Sequence, residues 1–134
     1  MAVNIPVPSP EAYAREPVRY PPLTVLDLGA EADRYPRPYH NSVLNQVNRH
    51  CLRLSAFEGI YPWHRHPKSD ELFLVVEGQL FIDFPEAPTV CLGAHQVFTI
   101  PAGQIHRTRA EARVVNVCFE ELGADTEFVS GPQG

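Results

Sequence analysis

Three histidines and one glutamate in the middle of the chain have the residue types and the spacing to hold a metal ion. His64 and His66 are one residue apart, so in a β-strand both imidazoles point to the same face of the sheet. Glu71 and His106 each follow a short segment rich in turn-forming residues. Imidazole is the commonest metal ligand in proteins. We therefore predict that His64, His66, Glu71 and His106 form a pocket for one divalent metal ion.

Short strands and turns must bring these four residues together. The apolar run after Glu71 predicts a strand, and Gly78 predicts a hairpin in which residues 79–84 form the returning strand. Further strands are predicted over residues 23–28, 43–47, 51–57, 89–92, 97–100 and 114–120, with one more entering at His106. Proline, at 14 residues of 134, disfavours long helices. Eight or nine short strands at regular spacing predict a sandwich or a barrel.

The same residues resemble the two sequence motifs of the cupin superfamily. The first motif is matched by Gly59, His64, His66, Glu71 and Gly78, and the second by Gly93, Pro101, Gly103 and His106. The gap after Gly59 is one residue shorter than usual, the gap before Pro101 is longer, and Ala110 stands where an Asn is frequent. These departures lie in loops and spare the ligands. The resemblance covers roughly residues 51–120 and is to the small single-domain cupins similar to mannose-6-phosphate isomerase.

The resemblance implies an all-β fold, a double-stranded β-helix (jelly-roll barrel) with a single barrel. We expect a Pro-rich N-terminal arm over residues 1–22, the barrel over 23–122, and a polar, loose C-terminal tail over 123–134. The arm is expected to be extended or partly disordered unless it packs on a partner. Small cupins usually pair, and an apolar strand face of Leu72, Leu74 and Val76, opposite the metal face, also predicts a homodimer.

Two functions are compatible with such a site. The first is a metal-dependent enzyme of the dioxygenase or isomerase class, whose ion binds a small oxygen-chelating substrate. The alternative is a non-catalytic cupin that binds or senses a small ligand through the metal. Iron, manganese, nickel, zinc and copper all suit imidazole ligands, so the pattern does not select one. Outside the four ligands no residue receives a catalytic role.

Neighbouring polar residues leave several alternatives open. Arg53 could face the barrel interior and hold a carboxylate, but Leu52, Leu54 and Ala56 compete for that interior. Asp70 could accept a hydrogen bond from a ligand histidine or could serve the turn. Three histidines without a motif partner are expected to be solvated loop or strand-end residues: His40, His50 and His95. Phe73 and Val75 share the face of Glu71 and are expected to wall the pocket.

Composition restricts the partners and the compartment. A net charge of -5 argues against non-specific binding to nucleic acid or to an anionic membrane. We expect no membrane association, since the sequence has no run of 18 or more apolar residues, and no secretory signal is recognisable at the N-terminus. Three cysteines, Cys51, Cys91 and Cys118, are expected to be buried free thiols, which predicts a cytoplasmic protein.

Overall fold

The described part of the chain is built mainly from antiparallel β-strands. It comprises residues 3–35 and 38–132 of a computed structural model. Within it the strands are β1 (Tyr39–Val47), β2 (His50–Ile60), β3 (His64–Arg65), β4 (Glu71–Glu77), β5 (Leu80–Phe84), β6 (Ala87–Leu92), β7 (Val97–Ile100), β8 (Arg107–Glu121) and β9 (Glu127–Phe128). Two short helices accompany them, α1 (Pro10–Ala14) and α2 (Leu28–Asp33). The predicted all-β fold is confirmed.

One long strand, β8, connects the two halves of the barrel. Seven strands share a sheet in the order β1-β2-β8-β4-β7, and β5 joins β8 on one side and β6 on the other, as judged over the described residues. The C-terminal part of β8 pairs with β4, and its N-terminal part pairs with β5. The sequence patterns predicted two separate strands in this region, one entering at His106 and one over residues 114–120. In the structure a single strand, β8, runs through both without a break.

The predicted hairpin after Gly78 is wrong. β5 does not return along β4 but crosses to the other end of β8, where Phe81 lies opposite Arg109. Gly78 has a φ of +87°, and a Cβ at this position would lie 2.7 Å from the carbonyl oxygen of Arg113 in β8. The glycine therefore permits a close backbone crossing of two strands. A tight two-residue turn would have had the same sequence signature.

Alternation along β2 separates two hydrophobic clusters. Phe57 faces a cluster inside the barrel that includes Phe73 and Val75, whereas Leu54 and Ala56 face a second cluster on the outer side of the sheet. Arg53, on the same face of β2 as Phe57, is 2% exposed. It is therefore Arg53 that occupies the interior and Leu54 that faces away.

Helix α2 covers the outer cluster. Asp27 caps it by accepting a hydrogen bond from the backbone N–H of Ala30, and Ala32 is buried against the sheet. The short strand predicted over residues 23–28 is absent from the structure, since Leu23 has a φ of +66° and the helix begins at Leu28. Six residues are too few for a helical period to be visible in the sequence.

Both ends of the described part of the chain contact the barrel. At the N-terminus the backbone N–H of Ile5 donates to the Ile60 carbonyl (3.0 Å), and α1, capped by Ser9, buries Tyr13. At the C-terminus β9 pairs with β3, and Ala124 and Thr126 are buried. The tail is thus not loose over residues 123–132. The arm lies on its own chain, and no helix of the described residues is long and apolar enough to span a membrane.

Exposure of the thiols differs from the expectation at one position. Cys51 and Cys118 are buried, as predicted, but Cys91 is exposed. Cys91 lies in β6, which pairs with β5 alone in the described part of the chain. Its side chain points outward from this edge strand. The apolar run around it gave no sign of which face would be covered.

Candidate metal centre

The four predicted ligands meet at one end of the barrel. His64 lies in β3, His66 follows it, Glu71 opens β4, and His106 immediately precedes β8. Backbone N–H groups of His64 and His106 each donate to the carbonyl oxygen of the other at 3.0 Å. All four side chains are buried, and one ligand atom from each lies within 4.8 Å of the others. Arg65, between the two histidines, faces away and pairs with Glu127 at 2.7 Å, as alternation predicts.

Backbone carbonyl groups orient all three imidazoles in the same way. The Nδ1 atoms of His64, His66 and His106 lie 2.8, 2.9 and 2.9 Å from the carbonyl oxygens of Pro62, Asp125 and Gln104 respectively. A carbonyl can only accept, so each Nδ1 carries the proton and donates it. The lone pair of each neutral ring is therefore on Nε2. This is the arrangement by which carbonyl groups orient metal-binding histidines.

Two buried atoms of the cluster lack a hydrogen-bond partner among the described residues. They are Oε1 of Glu71 and Nε2 of His106, which lie 3.4 Å apart. Nε2 of His66 lies 3.3 Å from the same carboxylate oxygen. Buried polar atoms almost always have a hydrogen-bond partner. Unpartnered nitrogen and oxygen atoms that converge on one point therefore indicate a missing group between them. A divalent ion with imidazole and carboxylate ligands fits this donor set.

Electrostatic interactions within the cluster shift the pKa values of its ionisable groups. Burial, followed by repulsion from His106 and His66, lowers the pKa of His64 to about 3. Burial alone would also lower the pKa of His66, but the adjacent Glu71 carboxylate raises it to about 9. Burial would raise the pKa of Glu71, and the neighbouring His66 and His106 instead lower it well below its ordinary range. The site therefore contains one anionic ligand and at least one uncharged imidazole at neutral pH.

Sequence reasoning missed a second layer of residues next to His66. The ring of Tyr13 stacks on the His66 ring with centroids 5.6 Å apart. Its hydroxyl donates to Glu120, and the guanidinium of Arg53 lies 3.6 Å above the Tyr13 ring. Arg53 also donates to the Tyr13 carbonyl oxygen at 2.6 Å. Only the Ser9-Pro10 helix start and a carboxylate within the apolar 114–120 segment could have pointed to this arrangement.

Three of the four predicted ligands, His64, His66 and Glu71, line a small cavity of about 30 Å³. One part of its wall is aromatic and is formed by Phe57, Tyr61 and Phe73. The other part is polar and comes from β1, β2 and β8, with Asn41, Ser55, Thr108 and Asn116. Phe73 walls the pocket as predicted, whereas Val75 packs in the core beside it.

Comparison with known proteins agrees with the motif and the fold. A family model described as "Cupin domain" matches residues 56–118. The chain is 45% identical over 103 residues to the uncharacterized protein YdbB of Bacillus subtilis (strain 168), covering 77% of this chain and 91% of that protein. The chain belongs to the cupin superfamily.

Solved structures of other proteins superpose on the barrel. A cupin-2 domain containing protein from Shewanella frigidimarina is 27% identical, with a TM-score of 0.68 over 72% of this chain and 94% of that chain. Protein NMB1881 from Neisseria meningitidis is 22% identical, with a TM-score of 0.67 over 73% of this chain and 99% of that chain. The second likeness shows the fold alone. The double-stranded β-helix expected from the motifs is confirmed.

The three histidines without a motif partner lie outside the cluster, but only His95 is exposed, whereas His40 and His50 are half-buried. His40 in β1 stacks on Tyr35, His50 stacks on Phe119 at the start of β2, and His95 lies in a turn with a φ of +71°. Asp70 accepts a hydrogen bond from the backbone N–H of Ala102 at 2.8 Å. Its carboxylate therefore joins the two ligand-bearing turns.

Proposed function

We propose that this cupin binds one divalent transition metal through His64, His66, Glu71 and His106 and presents it to a small oxygen-chelating ligand. The observation that carries the proposal is the convergence of three carbonyl-oriented imidazoles on a buried carboxylate oxygen without a hydrogen-bond partner in the described structure. Iron, manganese, nickel, zinc and copper all remain candidates. A bound divalent ion supplies Lewis acidity to a coordinated oxygen atom of the ligand.

The residues of the chain then have separate roles. The Pro62, Asp125 and Gln104 carbonyl groups hold the imidazoles in place, so the ligand set needs little rearrangement. Tyr13 and the aromatic wall restrict water at the site, because the enclosed cavity measures only about 30 Å³. A carboxylic acid, hydroxy acid or diketone that chelates through two oxygens is the ligand class we expect.

One observation favours the enzyme over the passive binder. Glu120, 1% exposed, lies at the end of β8, and its carboxylate accepts the hydrogen bond of Tyr13, whose ring stacks on His66. Burial and then the charge of Glu71 raise the pKa of Glu120. A group that holds a proton on its carboxyl beside the site suits proton transfer in an isomerase or a dioxygenase. The binder remains the second candidate.

Assembly and compartment complete the proposal. We expect a homodimer, although Leu74 and Val76 are half-buried against the outer cluster in the monomer and leave less apolar surface than the sequence suggested. Sedimentation at micromolar concentration tests it, and a monomer would contradict it. The three free thiols support a reducing compartment such as the cytoplasm.

The experiment for the metal site is elemental analysis of purified protein. We expect close to one transition-metal ion per chain in the wild type and loss of the ion in a His64→Ala/His106→Ala variant. The matched control, His50→Ala/His95→Ala, removes two imidazoles elsewhere and should keep the ion. Full metal occupancy in the first variant would contradict the proposal.

A second measurement separates enzyme from binder. Fe(II)-loaded protein is mixed under air with a panel of small chelating acids and diketones, and dioxygen consumption and ligand conversion are followed. Turnover of one compound, reduced more than metal content by Glu71→Gln, supports the enzyme. Binding of several compounds without conversion, repeated with the other four metals, would make the binding cupin the better description.

A further inference from the structure

A row of polar side chains crosses the barrel interior beyond the metal ligands. Asn41 in β1 pairs in register with Ser55 in β2, and Ser55 pairs in register with Asn116 in β8. All three line the cavity that contains the metal ligands. Directly opposite residues on neighbouring strands place their side chains side by side on one face. The row therefore forms one continuous polar stripe in an otherwise apolar barrel.

Asn116 is the member of this row whose hydrogen bonds are incomplete. Its side chain is 1% exposed, and its Nδ2 reaches only the sulfur of Cys118, at 3.4 Å. Within the described chain its Oδ1 has no partner. The Oδ1 atom of Asn41, by contrast, accepts a hydrogen bond from Arg53 at 2.9 Å. A buried amide left in this state costs free energy, which a bound group would recover.

The metal ion is not the group that would pair with the Asn116 amide. On the neighbouring strand β4, Asn116 lies opposite Val75, four residues beyond the ligand Glu71. Cys118, which pairs with Phe73, lies between Asn116 and the level of Glu71. The unpartnered amide thus faces the same cavity as the ion but at a deeper level of the barrel.

We infer that Asn116 and the polar row form a subsite that binds a hydroxyl group of the ligand at the end away from the metal. This inference rests on the proposed function and specifies its ligand. A hydroxyl both donates and accepts, so it can pair with either atom of an amide. The ligand would be a small acid that chelates the ion through two oxygens and carries one further hydroxyl group.

Charge argues against a second carboxylate at this end of the ligand. The residues that line the cavity away from the ion, among those the structure describes, are neutral polar or aromatic. The guanidinium that contacts the row, that of Arg53, already donates to Asn41 and lies 3.6 Å from the carboxyl group of Glu120. A buried carboxylate without a cation or several donors would be strongly unfavourable. The small volume, about 30 Å³, further restricts the ligand to a few atoms beyond the chelating pair.

The test compares two acids that differ only in this hydroxyl. Glycerate and lactate both offer a carboxylate and a 2-hydroxyl, and glycerate adds one hydroxyl at the far end. Calorimetric titration into Zn²⁺-loaded protein measures binding without redox chemistry. We expect wild-type protein to bind glycerate about three- to tenfold more tightly than lactate. In Asn116→Leu the ratio should fall to near one, with unchanged zinc content. Asn45→Leu, which replaces an asparagine of β1 that does not line the cavity, should keep the wild-type ratio.

A melting experiment without metal or ligand gives an independent readout. Replacing an unsatisfied buried amide by an apolar side chain of similar size should raise the melting temperature of metal-free protein by about 3 °C. A structural asparagine would give a lower melting temperature instead. If Asn116→Leu does not fold, Asn116→Ala serves for the binding ratio.

The outcomes distinguish the subsite from the metal site. Equal affinity for the two acids in the wild type, a preference that persists in the Asn116 variant, or no binding of either acid to zinc-loaded protein would overturn the subsite alone. A protein that takes up no zinc would overturn the proposed function. In that case the melting experiment still tests the premise of the subsite, because a destabilised Asn116→Leu variant would overturn it and a stabilised one would support an unsatisfied amide at this position.

Discussion

The hydroxyl oxygen of Tyr13 lies 2.8 and 2.9 Å from the two carboxylate oxygens of Glu120. This contact joins a short helix near the N-terminus to the end of β8, and it does so beside the ligand His66. Burial and the charge of Glu120 raise the pKa of the Tyr13 phenol well above its ordinary value, so it remains a donor at every physiological pH. The N-terminal arm is therefore part of the site.

Removal of this hydroxyl should destabilise the protein. Tyr13→Phe keeps the ring on His66 but leaves the buried carboxyl group of Glu120 without its phenol partner, which should lower the free energy of unfolding by about 1–3 kcal/mol. Tyr20→Phe is the matched control, because Glu31, which accepts from Tyr20, keeps a second donor in Arg34 at 3.2 Å. Urea titration should show the larger loss for Tyr13→Phe. Equal losses in the two variants would show that burial of the Tyr13–Glu120 pair has no special energetic role.

Sequence motifs predicted the clustered side chains because their positions depend largely on local spacing. His64 and His66 share a face by strand alternation, and Glu71 follows a turn, so these positions follow from short-range rules. Tyr13, Arg53 and Glu120 could not be assigned in this way. Their contacts join α1, β2 and β8, which are far apart in the sequence, and only the closed barrel brings them together.

The same distinction explains the errors in the fold. Gly78 has the signature of a hairpin, but the choice between returning along β4 and crossing to the other end of β8 depends on pairing across the barrel. The C-terminal tail looked loose because it is polar. Its backbone nonetheless supplies the Asp125 carbonyl that holds His66, a role that side-chain composition does not reveal.

Metal removal should lower the melting temperature. An ion that binds the folded state alone stabilises it by mass action, by about 2.7 kcal/mol when its free concentration is 100 times the dissociation constant. We expect a chelator to lower the melting temperature of the wild type and of His95→Ala. His64→Ala/His106→Ala should melt at the same temperature with and without chelator. Differential scanning calorimetry measures both, and a chelator response that survives in the double variant would place the stabilising ion elsewhere.

Gly59 should tolerate no side chain, because the N-terminal arm lies directly over it. Its φ is +116°, and an added Cβ would lie 2.4 Å from the carbonyl oxygen of Val3, which accepts the Ile60 N–H. Gly59→Ala should therefore cost more than the strain of the backbone angle, about 1–3 kcal/mol. It should also speed proteolysis of the arm.

Gly103→Ala is the control for this prediction. Gly103 has a φ of +83° but no atom within 4 Å of an added Cβ, so only backbone strain applies. Unfolding in urea and limited proteolysis of the native protein measure the two effects. If both variants lose the same stability and keep a resistant arm, the close contact with Val3 has no consequence.

The stability of the barrel should depend on pH through Asp83. Burial would raise its pKa, but hydrogen bonds from Arg109, Thr89 and Arg107 lower it to about 2. The unfolded chain has a pKa of about 3.9 for aspartate, so the folded state holds its proton less tightly. The stabilisation is thus fully present above pH 4 and is lost as the pH falls from about 4 to about 2.

Asp83→Asn should therefore be most destabilising at neutral pH. We expect a loss of about 1–3 kcal/mol at pH 7, because two half-buried guanidinium groups lose their shared, buried carboxylate, and a smaller difference from wild type at pH 3. Asp33→Asn is the control, since Asp33 is 79% exposed and its pair with Arg113 at 3.5 Å should contribute less than about 1 kcal/mol. Urea unfolding at several pH values gives both curves. A difference for Asp83→Asn that stays constant from pH 7 to pH 2 would show that its charge does not hold β5 against β8.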